Sequence, residues 1–192
     1  MSLAQTFVRT ETRLPGVCLI QPRIIEDPRG LFLESYHEAK FADLGITERF
    51  VQDNHSSSRR NVLRGLHYQL QHPQGKLCRV VEGEALDVAV DIRVGSPHFG
   101  KWVSAILSAG SGNLIYIPPG FAHGFLALTD TVQFLYKCSD YYDAADDHGI
   151  LWSDPTLAIA WGLANPQVSE KDARWPTLAE ASRELLPRFS AP

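Results

Sequence analysis

A chain of 192 residues, 44% hydrophobic and 21% charged, has the size and balance of one globular domain with a sizeable core. Its formal net charge of -4 supplies no basic field for nucleic acid or an anionic membrane surface, so neither is an expected partner. Cys18, Cys78 and Cys138 are odd in number and lack a Cys-x-x-Cys spacing, which speaks against a disulfide framework and a zinc ribbon and suits reduced thiols.

In chain order, MSLAQTFVRTETRL carries charges where a signal peptide needs an apolar core, and no apolar run approaches the ~18 residues of a membrane span. A soluble, cytoplasmic protein is expected. Residues 17–25 and 30–36 read as strands. Residues 36–44 read as a short helix, with Phe41 and Leu44 apolar and Gly45 placed as its C-cap. A strand at 62–69 follows. Over 77–103 the apolar positions alternate or run in short blocks, with Val81, Leu86, Val88, Val90 and Ile92 as strand residues. Glu82-Gly83-Glu84 is placed as the tight turn of a hairpin between two of these strands. Further strands are expected at 102–107, 113–117, 124–128 and 131–139, separated by Gly, Pro, Asn or Asp. Many short strands at nearly regular spacing predict an all-β sandwich or barrel. After Asp172 a patch at 178–186 predicts at most a small helix before a Pro-containing tail. No repeat or low-complexity block interrupts the chain, so one domain over 1–192 is expected, its tail from about 177 peripheral.

Two stretches carry the chemistry. Gly112-Asn-Leu-Ile-Tyr-Ile-Pro-Pro-Gly-Phe-Ala-His123 has the glycine, Pro-x-Gly and histidine spacing that resembles the second motif of the cupin superfamily; the blander reading is a Pro-Pro-Gly turn before a strand. The likeness implies a cupin-type double-stranded β-helix, a jelly-roll barrel with a few short helices, and a His123 that points into the barrel mouth. The other stretch is RGLHYQLQHPQGK, residues 64–76. Metal-binding cupins place a His-x-His here, whereas this chain reads His67-Tyr68-Gln69. His72 lies five residues after His67, and an odd separation puts two side chains on opposite faces of a regular strand. No metal is expected. His67 then reads as an acid–base group, with Arg64 and Lys76 as cations for an enolate or a diphosphate. Taken alone, Arg64 reads better as a surface ion pair and Lys76 as a solvated strand edge; together with His67 in thirteen residues those readings lose ground.

Ordered blocks from about residue 16 to 176 resemble the dTDP-4-dehydrorhamnose 3,5-epimerase family. They are DPRGLFLESY (27–36), FVQDNHSSS (50–58), VLRGLHYQ (62–69), QGKLCRVVEGEALDVAVDIRVGSPHFGKW (74–102), IPPGFAHGF (117–125), FLYKCSDYY (134–142), ILWSDPTLAIAW (150–161) and SEKDA (169–173). The resemblance implies a homodimeric enzyme without metal or organic cofactor that turns dTDP-4-dehydro-6-deoxy-D-glucose into dTDP-4-dehydro-L-rhamnose. It assigns His67 as general base, Tyr136 as proton donor, Asp172 as the carboxylate behind the base and Lys76 as the cation beside the sugar ketone. Arg29, Glu34, Gln52, Asn54, Arg64, His123 and Lys171 match positions that bind substrate, and Asp87 matches a buried supporting acid. Asp147 stands where relatives carry glutamate and is left out of the site. Tyr141 and Tyr142 fit a thymine-stacking role between them.

The residue types suit the chemistry. Carbons 3 and 5 both flank the C4 ketone, so each loses a proton to give an enolate, and inversion needs a base and an acid on opposite faces of the ring. Each assignment has a plain competitor: Tyr136 as a core tyrosine, Asp172 as a helix N-cap, His123 as a core histidine. His37, His55, His72, His98 and His148 read as loop or surface residues. Three rival functions stand beside the leading one: a single-centre 3- or 5-epimerase, a 3,4-ketoisomerase, and a non-catalytic cupin that only binds a nucleotide sugar.

Overall fold

The computed structural model describes residues 6–190. Thirteen strands and one short helix follow one another: β1 Phe7–Glu11, β2 Cys18–Pro22, β3 Ile24–Asp27, β4 Gly30–Leu33, α1 Glu38–Asp43, β5 Gln52–Arg59, β6 Leu63–Gln69, β7 Lys76–Glu82, β8 Glu84–Asp91, β9 Trp102–Ser108, β10 Leu114–Ile117, β11 Phe121–Ala127, β12 Thr131–Cys138 and β13 Asp147–Gly149. A single 3-10 turn, Asp172–Arg174, comes last. One sheet has the order β1-β2-β10-β7-β12-β5, a second β13-β6-β11-β8-β9, and β3-β4 form a separate ribbon. The pairing within both large sheets is antiparallel, the arrangement expected of a jelly-roll barrel.

The main core fills the space between the sheets. Cys78, Val80, Ile115, Ile117, Val132 and Phe134 enter it from one side, and Ala85, Ala89, Val103, Leu107, Phe121 and Phe125 from the other. Phe125 and Phe134 stack face to face at 4.0 Å across that boundary. Burying side chains of this size contributes roughly 1.5–3 kcal/mol each. A second cluster covers the outer face of the five-stranded sheet, where Leu63, Leu66, Val88, Val90 and Leu126 meet Ile150, Leu157, Trp161, Leu178 and Leu186 from the C-terminal third. A third packs α1 and its flanks, through Phe41 and Ile46, onto Phe7, Ile20, Leu77 and Leu114 of the six-stranded sheet. Because β11 is covered on both faces, every one of its residues is buried.

Several expectations change. The hairpin at Glu82-Gly83-Glu84 is instead a corner between sheets, since β7 lies between β10 and β12 while β8 lies between β11 and β9. Gly83 makes that corner at φ +78, and a Cβ there would sit 2.2 Å from the Thr131 carbonyl oxygen, so only glycine fits. Alternation reveals which face is buried and leaves the strand's partner open, which is why the corner resembled a hairpin. The strand at 17–25 divides at Arg23 into β2 and β3, and that at 30–36 ends at Leu33. β5 is an edge strand of polar sequence, QDNHSSSR, with only Ser58 buried, so it carries no apolar alternation to reveal it. Residues 178–186 form turns, within the expectation of at most a small helix. They are also anchored instead of peripheral: Leu178 and Leu186 are buried, Tyr68 donates to the Leu185 carbonyl at 3.0 Å, and the Phe189 amide donates to the Val94 carbonyl at 3.0 Å. The expected helix at 36–44 is α1, with Gly45 after it at φ +81.

Candidate active site

His67 lies on β6, with β11 on one side and β13 on the other; its register partners are His123 and Gly149. Its Nε2 is 2.6 Å from Asp172 Oδ1. Asp172 comes from the last turn, 105 residues away, and three contacts hold that turn in place. The Leu63 amide donates to the Gln167 carbonyl, the Asp172 amide donates to Ser169 Oγ at 3.0 Å, and Trp175 packs against Gly149 so closely that a Cβ there would stand 2.4 Å from its Nε1. Asp172 is therefore no N-cap: its carboxylate is buried and accepts from the Gly65 amide as well as from His67.

Burial alone would raise the Asp172 pKa. The hydrogen bond from His67, that ring's charge, the Gly65 amide and the Ser169 hydroxyl outweigh it and hold the carboxyl below the ordinary value. An ionised carboxylate only accepts hydrogen bonds, so Nε2 of His67 carries the proton it donates and Nδ1 of the neutral ring is left as the basic atom.

Tyr136 faces the same cavity from β12, in the other sheet. Burial, followed by the neighbouring Cys138 and Cys78, pushes its hydroxyl up to about 12, with Arg64 acting in the opposite direction. It holds its proton at neutral pH. Lys76, at the start of β7 and paired in register with Cys138 of β12, lines the cavity from the same sheet as Tyr136. The cavity, about 490 Å³, is also lined by Arg64, His123, Asp147, Lys171 and the stacked Phe125 and Phe134. Arg64 is steered by bonds to Ser58 Oγ at 3.0 Å and the Ser57 carbonyl.

Thus Arg64, His67, Lys76, His123, Tyr136, Lys171 and Asp172 are brought together as the sequence suggests. Asp87 lies behind them, fully buried, with Oδ2 2.8 Å from Nε2 of His123. Gln52 and Asn54 are neighbours of Tyr136 on β5, register partners of Cys138 and Tyr136. They stand outside the cavity lining, where Gln52 accepts from the Tyr142 amide at 2.9 Å. Arg29 and Glu34 stand away from it, Arg29 paired with Asp27 at 2.5 Å and Glu34 with Lys40 at 2.6 Å. His72 lies near Asp140 at 3.5 Å and is not part of the cavity. Sequence reasoning set Asp147 aside, yet it lines the cavity, takes the Lys171 ammonium at 2.5 Å and accepts from the Tyr142 hydroxyl at 2.9 Å. Its place on the short strand β13 next to β6 is a pairing no local pattern announces. Ser169 was likewise missed as a support of Asp172, though it sits in the same SEKDA block.

A jelly-roll barrel whose cavity sets a histidine on one sheet, backed by a carboxylate from the last turn, against a tyrosine and a lysine on the other is a cupin-type protein with groups suited to acid–base chemistry. The family model described as dTDP-4-dehydrorhamnose 3,5-epimerase matches residues 11–180, and the chain belongs to that family. The chain is 47% identical to the dTDP-4-dehydrorhamnose 3,5-epimerase of Neisseria gonorrhoeae over 92% of its own length, spanning about half, 54%, of that relative. It is 49% identical, with a TM-score of 0.94, to the crystal structure of dTDP-6-deoxy-D-glucose-3,5-epimerase from Legionella pneumophila in complex with dTDP-4-keto-L-rhamnose, covering 96% of this chain and 100% of that one. ChmJ, a 3'-monoepimerase from Streptomyces bikiniensis solved with dTDP-quinovose, is 36% identical with a TM-score of 0.87, covering 92% and 91%. No helix among the described residues is long and apolar enough to cross a membrane.

Proposed function

We propose that this protein is a dTDP-4-dehydrorhamnose 3,5-epimerase that converts dTDP-4-dehydro-6-deoxy-D-glucose into dTDP-4-dehydro-L-rhamnose. The observation that carries the reading is the placement of His67, backed by Asp172 from the last turn, and Tyr136 on opposite sheets of one cavity. Nδ1 of His67 removes the proton from C5 or C3, and the electron pair of that C–H bond becomes the enolate with the C4 oxygen. The Lys76 ammonium stabilises the oxygen charge, and Asp172 stabilises the imidazolium. Tyr136 delivers its proton to the opposite face of the carbon. The imidazolium then loses its proton to water and the tyrosinate regains one, which resets both groups. Arg64 and Lys171 supply charge for the diphosphate.

Deuterium exchange tests this directly. In deuterated buffer, NMR of the sugar is expected to show label at both C3 and C5; unlabelled, unchanged substrate from a protein that binds dTDP in a separate measurement would leave only a binding protein. The likeness to a 3'-monoepimerase supports a second reading, inversion at C3 alone, which label confined to C3 would establish.

A homodimer belongs to the same proposal. Arg29 and Glu34 match substrate-binding positions yet lie off their own cavity, on and just after a ribbon that exposes Ile25, Leu31 and Phe32. A ribbon that buries those side chains on a second copy accounts for both facts, with Arg29 serving the partner's cavity. Mixing inactive Arg29→Ala and His67→Ala proteins should then restore activity, since one site of each mixed dimer would be intact. The three free, buried cysteines support a reducing, cytoplasmic setting.

A further inference from the structure

A short C-terminal segment, residues 185–189, touches the barrel at two places and lies beyond the part of the chain that the family model matches, residues 11–180. At the first place the buried Tyr68 donates its hydroxyl to the Leu185 carbonyl at 3.0 Å. Tyr68 follows His67 on β6, and successive side chains of a strand point to opposite faces, so the base enters the cavity while its neighbour holds the segment outside. At the second place the segment runs parallel to the chain after β8: the Val94 amide donates to the Pro187 carbonyl at 2.8 Å, and the Phe189 amide to the Val94 carbonyl at 3.0 Å. The Arg93 guanidinium lies between two aromatic rings, 4.3 Å from the centre of Phe121 and 5.0 Å from that of Phe189. Its Nε and Nη2 donate to the buried Asp91 carboxylate at 2.9 and 2.7 Å. Phe121 begins β11, and the turn before it, Pro118-Pro119-Gly120, carries the chain from the six-stranded sheet to the five-stranded one. Arg93 packs so tightly on that turn that a Cβ at Gly120 would stand 2.9 Å from its Cδ, and Pro187 of the segment lies 3.9 Å from the same point. The other side of the turn rests on Gly75, where a Cβ would stand 3.3 Å from Pro119 Cδ, and Gly75 precedes Lys76. The segment thus reaches from the strand of His67 to the corner beside Lys76.

We propose that residues 185–189 are a clamp that holds His67 and Lys76 at their working separation, with Tyr68, Arg93 and Phe189 as positioning residues. All of these stand outside the cavity lining. The carbon that loses its proton and the ketone oxygen that takes up the charge belong to one sugar ring, so base and cation must keep their separation to a fraction of an ångström. They stand on different sheets, His67 on β6 and Lys76 on β7, and the corner at 118–120 is a covalent link between those sheets. Arg93 and Pro187 press on that corner from one side and Gly75 meets it from the other. A guanidinium stacked on both faces is shielded from water on both, which strengthens its attraction to the rings, and the Asp91 carboxylate balances its charge. Removing the Phe189 ring opens one face of Arg93, while the bonds to Asp91 and the core between the sheets, to which Phe189 does not belong, stay in place. Such a variant reports on position more than on folding.

Because this positioning rests on the epimerase reading, its test joins turnover with a signal that needs no sugar, the NMR resonances of the His67 ring in the full-length protein. Phe189→Ala, Phe189→Trp and Tyr68→Phe are compared with Phe41→Leu, a control that loosens the third cluster, to which the segment does not belong. All are measured well below their thermal midpoints. Phe189→Ala should shift the His67 resonances and lower kcat about 10-fold, a part of the ~10²-fold that a misplacement of about 1 Å can cost, with KM within about twofold of wild type. Tyr68→Phe removes one hydroxyl and should act in the same direction. Combining it with Phe189→Ala should cost hardly more than Phe189→Ala alone, because both changes release the same segment. Phe189→Trp keeps a ring over Arg93 and should restore kcat, and Phe41→Leu should change neither kcat nor the His67 signal even where it lowers the midpoint. Unchanged His67 resonances and kcat in folded Phe189→Ala and Tyr68→Phe proteins, or an equal loss of kcat in Phe41→Leu, would reduce the clamp to an element of stability and overturn the proposal. A wild type that puts no deuterium into the sugar while its His67 signal still answers to Phe189→Ala would instead retire the epimerase reading and leave the clamp standing.

Discussion

Asp172→Asn isolates the contribution of one charge at constant shape. The two oxygens of Asp172 accept from His67 Nε2 and from the Gly65 amide, whereas an asparagine has one acceptor oxygen and one amide nitrogen. If the oxygen keeps Gly65, the nitrogen donates to the ring and moves the imidazole proton away from Nε2 to the atom that should act as base. If it keeps His67, the imidazolium formed during turnover still loses its counter-charge. A charge-assisted hydrogen bond is worth about 1.5–3 kcal/mol, which corresponds to a loss of about 10- to 150-fold in kcat. KM should change little, since both Asp172 oxygens are engaged by His67 and the Gly65 amide. The assay is NMR of deuterium entry at C3 and C5, and both rates should fall together. The same variant tests the carboxylate by pH. With its folded pKa held below the ordinary carboxyl value, Asp172 contributes stability that is present above the unfolded pKa and is lost as pH falls through the lowered folded-state pKa. The stability gap between wild type and Asp172→Asn should therefore narrow in acid. Wild-type exchange rates in the variant, or a defect confined to KM, would refute the role given to the pair.

Tyr136→Phe should retain hydrogen exchange by His67 while losing inversion by roughly 10²–10⁴-fold, the range for removing a general acid; equal loss of exchange and inversion would reassign the proton donor. In the wild type, a rate loss from ionisation of Tyr136 should appear only as pH approaches about 12, seen in the alkaline limb of the kcat profile. Gly149→Ala should displace Trp175 and with it the Asp172 turn, lowering stability by about 1–3 kcal/mol and activity with it, as read by urea denaturation and turnover. Phe134→Ala should lower stability by about 3–5 kcal/mol by breaking the stack with Phe125, and an unchanged urea midpoint would contradict the core described here.

The class of fold was legible because the buried strands advertise themselves: β8 and β11 run as EALDVAVD and FAHGFLA, and their turns carry Gly and Pro. Partnership between strands was not, because apolar alternation is the same whether a strand pairs with its neighbour in sequence or crosses to the facing sheet. Gly83 therefore has the sequence surroundings of a hairpin turn. The site divides in the same way. His67, Arg64 and Lys76 lie within thirteen residues, so their meeting was readable as a cluster. Tyr136 and Asp172 came through the family likeness, since nothing local tells a cavity tyrosine from a core one. Asp147 and Ser169 depend on contacts of β13 and of the last turn, which only the folded chain brings beside His67.

In the proposed mechanism acid and base are divided between two sheets, and that division has a consequence. To invert a carbon, the two proton-transfer groups must stay a sugar ring apart, and loops of ordinary mobility hold such a distance poorly. Here His67 stands on β6 and Tyr136 on β12, and the separation of those strands is set by the core between the sheets. Phe125 and Phe134 form part of that spacer and of the cavity lining at once. Packing density thus enters the chemistry: a smaller side chain at Phe134 should let the walls approach, and proton abstraction by His67 should then persist where delivery by Tyr136 loses its alignment. Exchange without inversion in a folded Phe134→Leu protein is the expected signature. Equal loss of both would instead mean that the sheets set the position of the base alone.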